Sequence, residues 1–302
     1  MRAFTLDSLE IPPALREDLP SPVAGDGELL VRVHASSANP VDNAIAAGML
    51  AGMFEHTFPV VLGRDFAGVV EQVGDGVNGY AVGDAVFGFV PHAGPDVHAG
   101  SWAEHINVAQ DGIVAPVPAG VDLTIAGAAP LAGITALVAV EALDLSEGDV
   151  LLVVGATGGV GSLAVQLAAK AGARVIAPAL PEDERFLRDL GVTDVLPRDG
   201  DVTGLDADAL LDVVSYAAGT YDAALKEGAR VASPNSAAGD GPGRTNVLAS
   251  AHPDKLQPLG ELLADGSLRV PIQRTYDLAQ AGDALAALGG THTQGKLAVR
   301  VA

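Results

Sequence analysis

The most constraining feature of the sequence is an apolar strand pattern that runs into a glycine-rich turn and then into a helix pattern. Val150–Val154 is a continuous apolar run of strand length. Residues 159–171 predict a helix and residues 173–177 predict the next strand. A strand, a helix and a second strand in this order form a βαβ unit, whose two strands lie parallel in one sheet. The sequence therefore predicts a parallel α/β domain here.

The turn inside this unit has four glycines in seven residues, in the sequence Gly155-Ala156-Thr157-Gly158-Gly159-Val160-Gly161. Amide groups at the start of a helix bind a diphosphate, and glycines let the phosphates and the helix approach closely. The spacing departs from strict G-x-G-x-x-G, but its position between a strand and a helix supports a dinucleotide site. The alternative is a tight turn without a ligand, which requires fewer glycines.

The end of the second strand bears on the choice of cofactor. NAD sites usually carry Asp or Glu there to bind the ribose hydroxyls, whereas this strand ends at Ala177-Pro178-Ala179-Leu180. The acids at 182–184 come later, where they are expected to cap a helix. NADPH is therefore favoured over NADH, with Arg185, or less well Arg188, as the partner of the 2′-phosphate. The alternative for either arginine is a solvated helix residue.

The rest of the second half alternates between helix and strand patterns, which predicts a doubly wound parallel sheet. A long alanine-rich segment before the βαβ unit predicts one buried helix. The predicted helices span residues 123–143, 183–190, 221–226 and 255–264, and the further strands span residues 210–215 and 229–233.

Residues 28–117 follow a different pattern, in which short valine-rich segments alternate with glycine turns. This pattern predicts a small antiparallel β-barrel, with strands that include residues 69–73, 85–89 and 102–108. Residues 296–301 predict a last strand that returns to this barrel. We therefore expect a substrate domain at 1–117 and 268–302, and a dinucleotide-binding domain at 118–267.

Composition excludes several classes of protein. The net charge is −21, from 17 basic and 38 acidic residues, which opposes binding to nucleic acid and to anionic membranes. The chain has no cysteine, so disulfides and thiolate zinc sites are impossible. The apolar runs are far shorter than the ~20 residues of a membrane helix. The first residues lack a signal-peptide pattern, which gives a cytoplasmic location as the expectation.

Several motifs, in order and spacing, resemble the zinc-independent quinone oxidoreductase (zeta-crystallin-like) branch of the medium-chain dehydrogenase/reductase superfamily. The resemblance covers nearly the whole chain. Its motifs are Asn39-Pro40-Val41-Asp42, residues 58–68 (FPVVLGRDFAG), residues 82–88 (VGDAVFG), residues 100–104 (GSWAE), residues 132–137 (AGITAL), the glycine turn, residues 186–191 (FLRDLG) and Gly295-Lys296.

The resemblance implies a GroES-like barrel domain, a Rossmann domain and a cofactor in the cleft between them. Zinc-dependent relatives have a cysteine before the segment matching 39–42, and Gly-His-Glu where this chain has Gly63-Arg64-Asp65. This chain has neither the thiolate nor the histidine, so no metal is expected. The histidines form no pair at metal-ligand helical spacing, and His92 and His98 lie in a Gly/Pro-rich loop.

The resemblance also implies roles for individual residues. It gives a catalytic set of Asn39, Asp42, Arg64 and Thr135, with Asn39 and Thr135 near the nicotinamide. Asp42 and Asp65 are expected to hold the loop and Arg64 through an ion pair. Asn39 is otherwise a turn residue before a proline, and Thr135 a helix residue bonded to its own backbone.

Cofactor contacts are expected at the glycine turn, on the adenine side after residue 215, and at the carboxamide from the segment 233–236. The expected cofactor-binding residues are Gly155, Ala156, Thr157, Gly158, Gly159, Val160, Arg185, Tyr216, Ala217, Ser233, Pro234, Ser236 and Lys296.

The implied reaction is hydride transfer from NADPH to a quinone, which stabilises the resulting negative charge without a metal. Some bacterial quinone reductases carry tyrosines in the segment matching 43–50, and this chain has Ala44 and Leu50 instead. An apolar pocket of Ile45, Met49, Leu50 and Phe54 would also suit an enone or enoyl substrate, including one from a biosynthetic pathway. A cofactor-binding protein with little catalysis is the alternative of another class. The resemblance further implies a homodimer.

Overall fold

The computed structural model describes residues 1–91, 100–290 and 292–302. The chain forms two compact units. The first unit comprises Met1–Leu131, Leu256–Asp265 and Ile272–Ala302, and the second comprises Ala132–Lys255 and Gly266–Pro271.

The described residues contain strands and helices that we number in chain order. The strands are β1 (Ala3–Leu6), β2 (Ala14–Arg16), β3 (Glu28–Ala38), β4 (Val60–Val61), β5 (Asp65–Val73), β6 (Ala85–Phe89), β7 (His105–Ala109), β8 (Val114–Pro116), β9 (Val150–Val154), β10 (Arg174–Ala179), β11 (Asp194–Pro197), β12 (Ala207–Asp212), β13 (Leu225–Ser233), β14 (Arg244–Asn246), β15 (Ile272–Asp277) and β16 (Lys296–Arg300). The helices are α1 (Pro40–Ala46), α2 (Leu123–Ala128), α3 (Pro130–Ala142), α4 (Gly159–Lys170), α5 (Glu184–Leu190), α6 (Leu256–Ala264) and α7 (Ala281–Gly290).

The first unit is built on a seven-stranded sheet with the order β15-β16-β3-β5-β6-β8, in which β7 also pairs with β3. Its pairs are antiparallel except for β15 with β16. A second, three-stranded sheet has the order β2-β1-β4. The core of this unit includes Trp102, Phe66 and Ile106, all buried. Because β16 pairs antiparallel with β3, the last strand of the chain continues the sheet of its first residues.

The second unit contains a six-stranded parallel sheet with the order β11-β10-β9-β12-β13-β14. The chain builds outward from β9 to β11, and then returns to β12 on the other side of β9. In such sheets ligands bind beyond the carboxyl ends of the strands, at the point where the strand order reverses. The reversal here lies between β9 and β12. The sheets agree with the fold class predicted from the sequence, an antiparallel β domain with a doubly wound parallel α/β domain.

Two of the predicted elements are wrong. The single helix over residues 123–143 is two helices, since α2 ends at Ala128 and α3 begins at Pro130. Proline has no N–H to donate inside a helix but fits the first turn, so it starts a new helix. The helix over residues 221–226 is a single 3-10 turn at Asp222–Ala224. Leu225 then begins β13 by pairing with Ala207 of β12, so sheet pairing determines its conformation.

Within the part of the chain that the structure describes, no helix has both the length and the apolar character needed to span a bilayer.

Candidate functional site

The glycine turn joins β9 to α4 and is packed tightly where it leaves the strand. Gly155 has a φ of +86°, a conformation that side chains disfavour. A Cβ atom on Gly155 would lie 2.6 Å from Cγ2 of both Val213 and Val214. A Cβ on Gly161 would lie 2.1 Å from the carbonyl oxygen of Gly155. Glycine at these two positions is therefore required by the packing of the turn itself.

Gly158 differs from these two glycines. Its backbone is extended, and the nearest atom to a Cβ built there is the Gly155 carbonyl oxygen, at 3.6 Å. Packing alone would therefore accept alanine at this position. A glycine that the fold does not need is consistent with close approach by a ligand.

The turn ends in an open helix terminus. Gly158 is the N-cap of α4 and provides no side-chain hydrogen bond to it. The amides of Gly159, Val160 and Gly161 have no acceptor within the helix, because the first intrahelical bond runs from Ser162 to Gly158. Free amides together with the helix dipole attract an anion. The predicted diphosphate site thus has the backbone geometry that such a group needs.

The loops after β12 and β13 lie at the same edge of the sheet. Val214 and Ser215 donate their amides to the carboxylate of Asp212, which ends β12 in a tight turn. The Asn235 side chain donates to the carbonyl oxygen of Val213 at 3.1 Å and so links the two loops. The segment that follows β12 carries Tyr216, which is 77% exposed. These loops contain the residues predicted for the adenine side and for the carboxamide.

In the segment 233–236, the Ser233 side chain is fully buried and accepts the amides of Asn235 and Ala237. Ser236 is exposed and has a φ of +64°. Its strained backbone is held by the bonds that Ser233 makes on either side of it. Ser236 and the partly buried Pro234 are therefore presented on a rigid loop, whereas Ser233 acts on that loop from beneath.

The region after β10 carries the predicted 2′-phosphate contact. Asp183 is fully buried, and its carboxylate accepts the amide of Leu180 at 3.2 Å. Arg188 is held by Glu184 at 2.8 Å and by the carbonyl oxygen of Thr193 at 3.0 Å. Arg185 is exposed and makes no hydrogen bond or ion pair within the described ranges. Of the two arginines, Arg185 is the one that remains available for a phosphate.

Thr135 lies in α3 and is only 5% exposed. The second unit thus holds Thr135, the glycine turn, Arg185 and the two loops, whereas the other predicted site residues belong to the first unit.

A buried polar cluster in the first unit is centred on Asn39, which ends β3 and caps α1. The Asn39 side chain donates from Nδ2 to Asp65 at 2.8 Å and accepts at Oδ1 from the Lys296 ammonium at 2.6 Å. The Asn39 amide donates to the carboxylate of Asp42 at 2.8 Å. Asn39, Asp42, Asp65 and Lys296 are all buried.

Asp65 is the most heavily bonded member of this cluster. Its carboxylate accepts Ser37 Oγ at 2.6 Å and the amide of Leu131, in the first turn of α3, at 2.7 Å. The ammonium of Lys296 lies 3.5 Å away. Asp65 therefore anchors a cation and an amide side chain at the end of β3.

Asp42 and Arg64 form the other pair, with 3.8 Å between Asp42 Oδ1 and Arg64 Nε. Arg64 also donates to the carbonyl oxygens of Val61 at 3.0 Å and Pro91 at 3.1 Å. Burial raises the pKa of Asp42 from 3.8 to about 7, although the Arg64 charge opposes the rise. Neither side chain is accessible, so both members of the predicted catalytic set can act only by holding other groups.

The contact between Lys296 and Asn39 and the bond from Ser37 to Asp65 were not predicted from the sequence. Lys296 was predicted only through the Gly295-Lys296 motif, which gives no indication of this contact. The predicted apolar pocket is partly wrong, because Ile45 is fully buried in the core of the first unit. Met49 is 71% exposed, and Leu50 and Phe54 are half-buried.

The cluster does not suit a divalent metal ion. The cluster contains two residues of the Gly63-Arg64-Asp65 motif. The Arg64 guanidinium and the Lys296 ammonium already neutralise the carboxylates of the cluster. A metal would be repelled by both cations and would find no thiolate, since the chain has no cysteine. Within residues 1–91, 100–290 and 292–302, no three His, Cys, Asp or Glu side chains are grouped so as to hold a metal. His92 and His98 lie outside the described residues.

Family models match both parts of the chain. The alcohol dehydrogenase GroES-like domain matches residues 25–119, and the zinc-binding dehydrogenase model matches residues 183–299. The chain belongs to the medium-chain dehydrogenase/reductase superfamily. This membership confirms the resemblance predicted from the motifs. The name of the second model refers to zinc binding, but the buried cluster of this chain does not offer suitable zinc ligands.

Solved structures of the superfamily superimpose over the full length of the chain. The quinone oxidoreductase from Coxiella burnetii has a TM-score of 0.87 and 29% identity, and the match covers 100% of this chain and 99% of that one. A mycobacterial protein complexed with NADPH has a TM-score of 0.84 and 25% identity, with 99% of each chain covered.

A long synthase also contains a similar segment. The phthioceranic/hydroxyphthioceranic acid synthase of Mycobacterium tuberculosis is 31% identical over 309 residues, which cover 92% of this chain. This chain spans only 14% of the length of that synthase.

Proposed function

We propose that this chain is an NADPH-dependent oxidoreductase that transfers a hydride to a quinone without a metal ion. The observation that carries the proposal is the turn from β9 into α4. Its backbone presents the unbonded amides of Gly159, Val160 and Gly161, and Gly158 leaves room beside them. These features support a diphosphate at the start of α4. The similarity to a quinone oxidoreductase supports the reaction.

The preference for NADPH rests on the residues after β10. This strand ends in Ala179, without the carboxylate that would bind ribose hydroxyls and repel a 2′-phosphate. Arg185 is exposed and uncommitted, and its guanidinium can form paired hydrogen bonds with a phosphate. The similarity to a mycobacterial protein that binds NADPH agrees with this choice.

Bound NADPH would supply the hydride from C4 of its nicotinamide. The chain would contribute binding and orientation. The turn amides hold the diphosphate, Tyr216 and Ala217 border the adenine, and the rigid loop of Pro234 and Ser236 contacts the carboxamide. Thr135 would orient the nicotinamide from the second unit.

The buried cations argue for an acceptor that needs no Lewis acid. A simple aldehyde or ketone gives a localised alkoxide, which needs a Lewis acid or a well-placed proton donor to stabilise it. A quinone delocalises the added charge itself, and its oxyanion then takes a proton from water or a nearby donor. Enones and 2-alkenals share this property, and so remain the alternative substrate class.

Steady-state NADPH oxidation tests the proposal, with 1,4-benzoquinone compared with 2-alkenals of increasing length. We expect turnover with the quinone and weaker turnover with the alkenals, and the reverse order would favour the enone alternative. NADPH binding without turnover of either class would indicate a cofactor-binding protein with little catalysis. A titration with NADPH and NADH, followed by nicotinamide fluorescence, measures the cofactor preference separately.

A further inference from the structure

The ammonium of Lys296 is enclosed within the first unit. Only 3% of its side chain is exposed. Its three hydrogens face three oxygens, at 2.6 Å in Asn39 Oδ1, 3.4 Å in the carbonyl of Ala38 and 3.5 Å in Asp65 Oδ2. An ammonium has three donors and no acceptor. Lys296 therefore has no donor left for a diphosphate, although the sequence predicted it among the cofactor-binding residues.

These contacts fix the orientation of the Asn39 carboxamide. Lys296 can only donate and the Asp65 carboxylate can only accept, so Oδ1 must face the lysine and Nδ2 must face the aspartate. The amide cannot turn over without bringing two donors together on one side and two acceptors on the other. Nδ2 carries two hydrogens, of which one is bonded to Asp65. Within the described residues the second hydrogen has no acceptor.

The same contacts change the strength of the remaining donor. A cation bound to the carbonyl oxygen of an amide draws electron density away from its nitrogen, so the N–H becomes a better hydrogen-bond donor. Such a donor suits an oxygen on which negative charge develops during a reaction. Lys296 and Asn39 together form a chain that runs from a cation through a polarised amide to one open N–H.

We propose that Lys296 is a positioning residue that orients and polarises the Asn39 carboxamide, so that its open Nδ2–H donates to the carbonyl oxygen of the acceptor as hydride arrives. This inference rests on the proposed function, because it takes hydride transfer as the reaction. Asn39 makes the contact, and Lys296 acts only through it.

The first test observes the amide without any reaction. In asparagine-selective ¹⁵N spectra, with the Asn39 signals assigned from Asn39→Ala, one Nδ2 proton is expected to exchange with water much more slowly than the other. In Lys296→Gln and Lys296→Met the slow proton is expected to lose at least tenfold of its protection. Two rapidly exchanging protons in the unsubstituted protein would overturn the proposal, whatever the activity of the chain.

The second test measures kinetics with 1,4-benzoquinone. Loss of one oxyanion donor costs about 10²–10³ in kcat, so Lys296→Met and Lys296→Gln are expected to lower kcat by about 10- to 100-fold. The Kd for NADPH is expected to stay within about twofold. In an Asn39→Ala background, replacing Lys296 should change kcat by less than about twofold, because the group through which it acts is gone.

Lys255→Met is the matched control, since Lys255 pairs with Glu141 at 2.7 Å outside this cluster. It should leave both parameters unchanged. An additive effect of Lys296 in the Asn39→Ala background, or a weakened NADPH affinity at unchanged kcat, would overturn the proposal. If Lys296→Met does not fold, Lys296→Gln and the spectra of the unsubstituted chain still decide. Failure of the unsubstituted chain to reduce any acceptor would refute the proposed function and with it the role in catalysis, whereas the exchange test would separately report the amide orientation.

Discussion

The burial of the Asp42 carboxyl predicts how the free energy of unfolding of the chain depends on pH. Burial raises the pKa of Asp42 from 3.8 to about 7, with the charge of Arg64 acting in the opposite direction. Between these two values the folded chain holds a proton that the unfolded chain has lost. Stability from this group therefore falls as pH rises, with no penalty below pH 3.8 and the full penalty above about pH 7. The full penalty is about 4 kcal/mol.

The substitution Asp42→Asn removes the titration and keeps the shape. Its amide oxygen can still accept the backbone N–H of Asn39, which donates to Asp42 at 2.8 Å. The loss of the charge beside Arg64 shifts stability by an amount that does not depend on this titration. The prediction therefore concerns the change with pH. Relative to the unsubstituted chain, Asp42→Asn should gain about 2.5 kcal/mol between pH 5 and pH 8.

Urea unfolding at several pH values measures this change, with the fluorescence of Trp102 as the signal. Trp102 is the one tryptophan of the chain and is buried in the core of the first unit, which also contains Asp42. A linear fit at each pH gives the free energy of unfolding for both proteins. A difference that stays constant from pH 5 to pH 8 would refute the reasoning.

Glu104→Gln serves as the control in the same unit. Burial acts to raise the pKa of Glu104, but hydrogen bonds and the charge of Arg2 outweigh it, so the pKa is lowered. The stability from Glu104 is present above the unfolded pKa of 4.5 and is lost as pH falls through the lower folded value. The control should therefore show only a small change between pH 5 and pH 8, of opposite sign.

Other predictions concern the second unit. Gly158→Asp should weaken NADPH binding by about 100-fold in a fluorescence titration, because it sets a carboxylate against the diphosphate. Gly158→Ala should weaken binding by much less, because it adds a methyl group without a charge, and equal affinity in both variants would mean that the diphosphate binds elsewhere. Gly161→Ala should lower the free energy of unfolding by about 2 kcal/mol, since its Cβ would lie 2.1 Å from a carbonyl oxygen; urea unfolding followed by circular dichroism measures this loss. Arg185→Ala should reduce the preference for NADPH over NADH by about tenfold, whereas Arg188→Ala should leave it unchanged. An unchanged preference in Arg185→Ala would mean that Arg185 is only a solvated helix residue.

The sequence predicted the glycine turn well because its signals are local. A strand, four glycines and a helix are consecutive, so the backbone that they form depends little on the rest of the fold. The helix break at Pro130 was missed, although proline is itself a local breaker, because the segment around it is long and rich in alanine. The strand at Leu225 was missed because its conformation follows from pairing with Ala207, which no local pattern records.

The buried cluster could not be predicted from local pattern. Asp65 and Lys296 are separated by 231 residues, and they meet because β16 and β5 both pair with β3. The resemblance gave Asn39, Asp42 and Arg64 as members of one catalytic set, and the structure places them in contact, but the resemblance could not give their hydrogen bonds. Lys296 was predicted to bind the cofactor, but it is buried and its donors are all used inside the first unit.

The pairing of β16 with β3 also has a consequence for synthesis of the chain. β3 leaves the ribosome early but must wait for residues 296–300 before it gains this neighbour. Until then Asp65 lacks its neighbouring cation and Asn39 Oδ1 lacks its donor, whereas β9 to β14 are already complete. The first unit should thus remain protease-sensitive on nascent chains that already contain a folded second unit. It should become protease-resistant once β16 has left the ribosome.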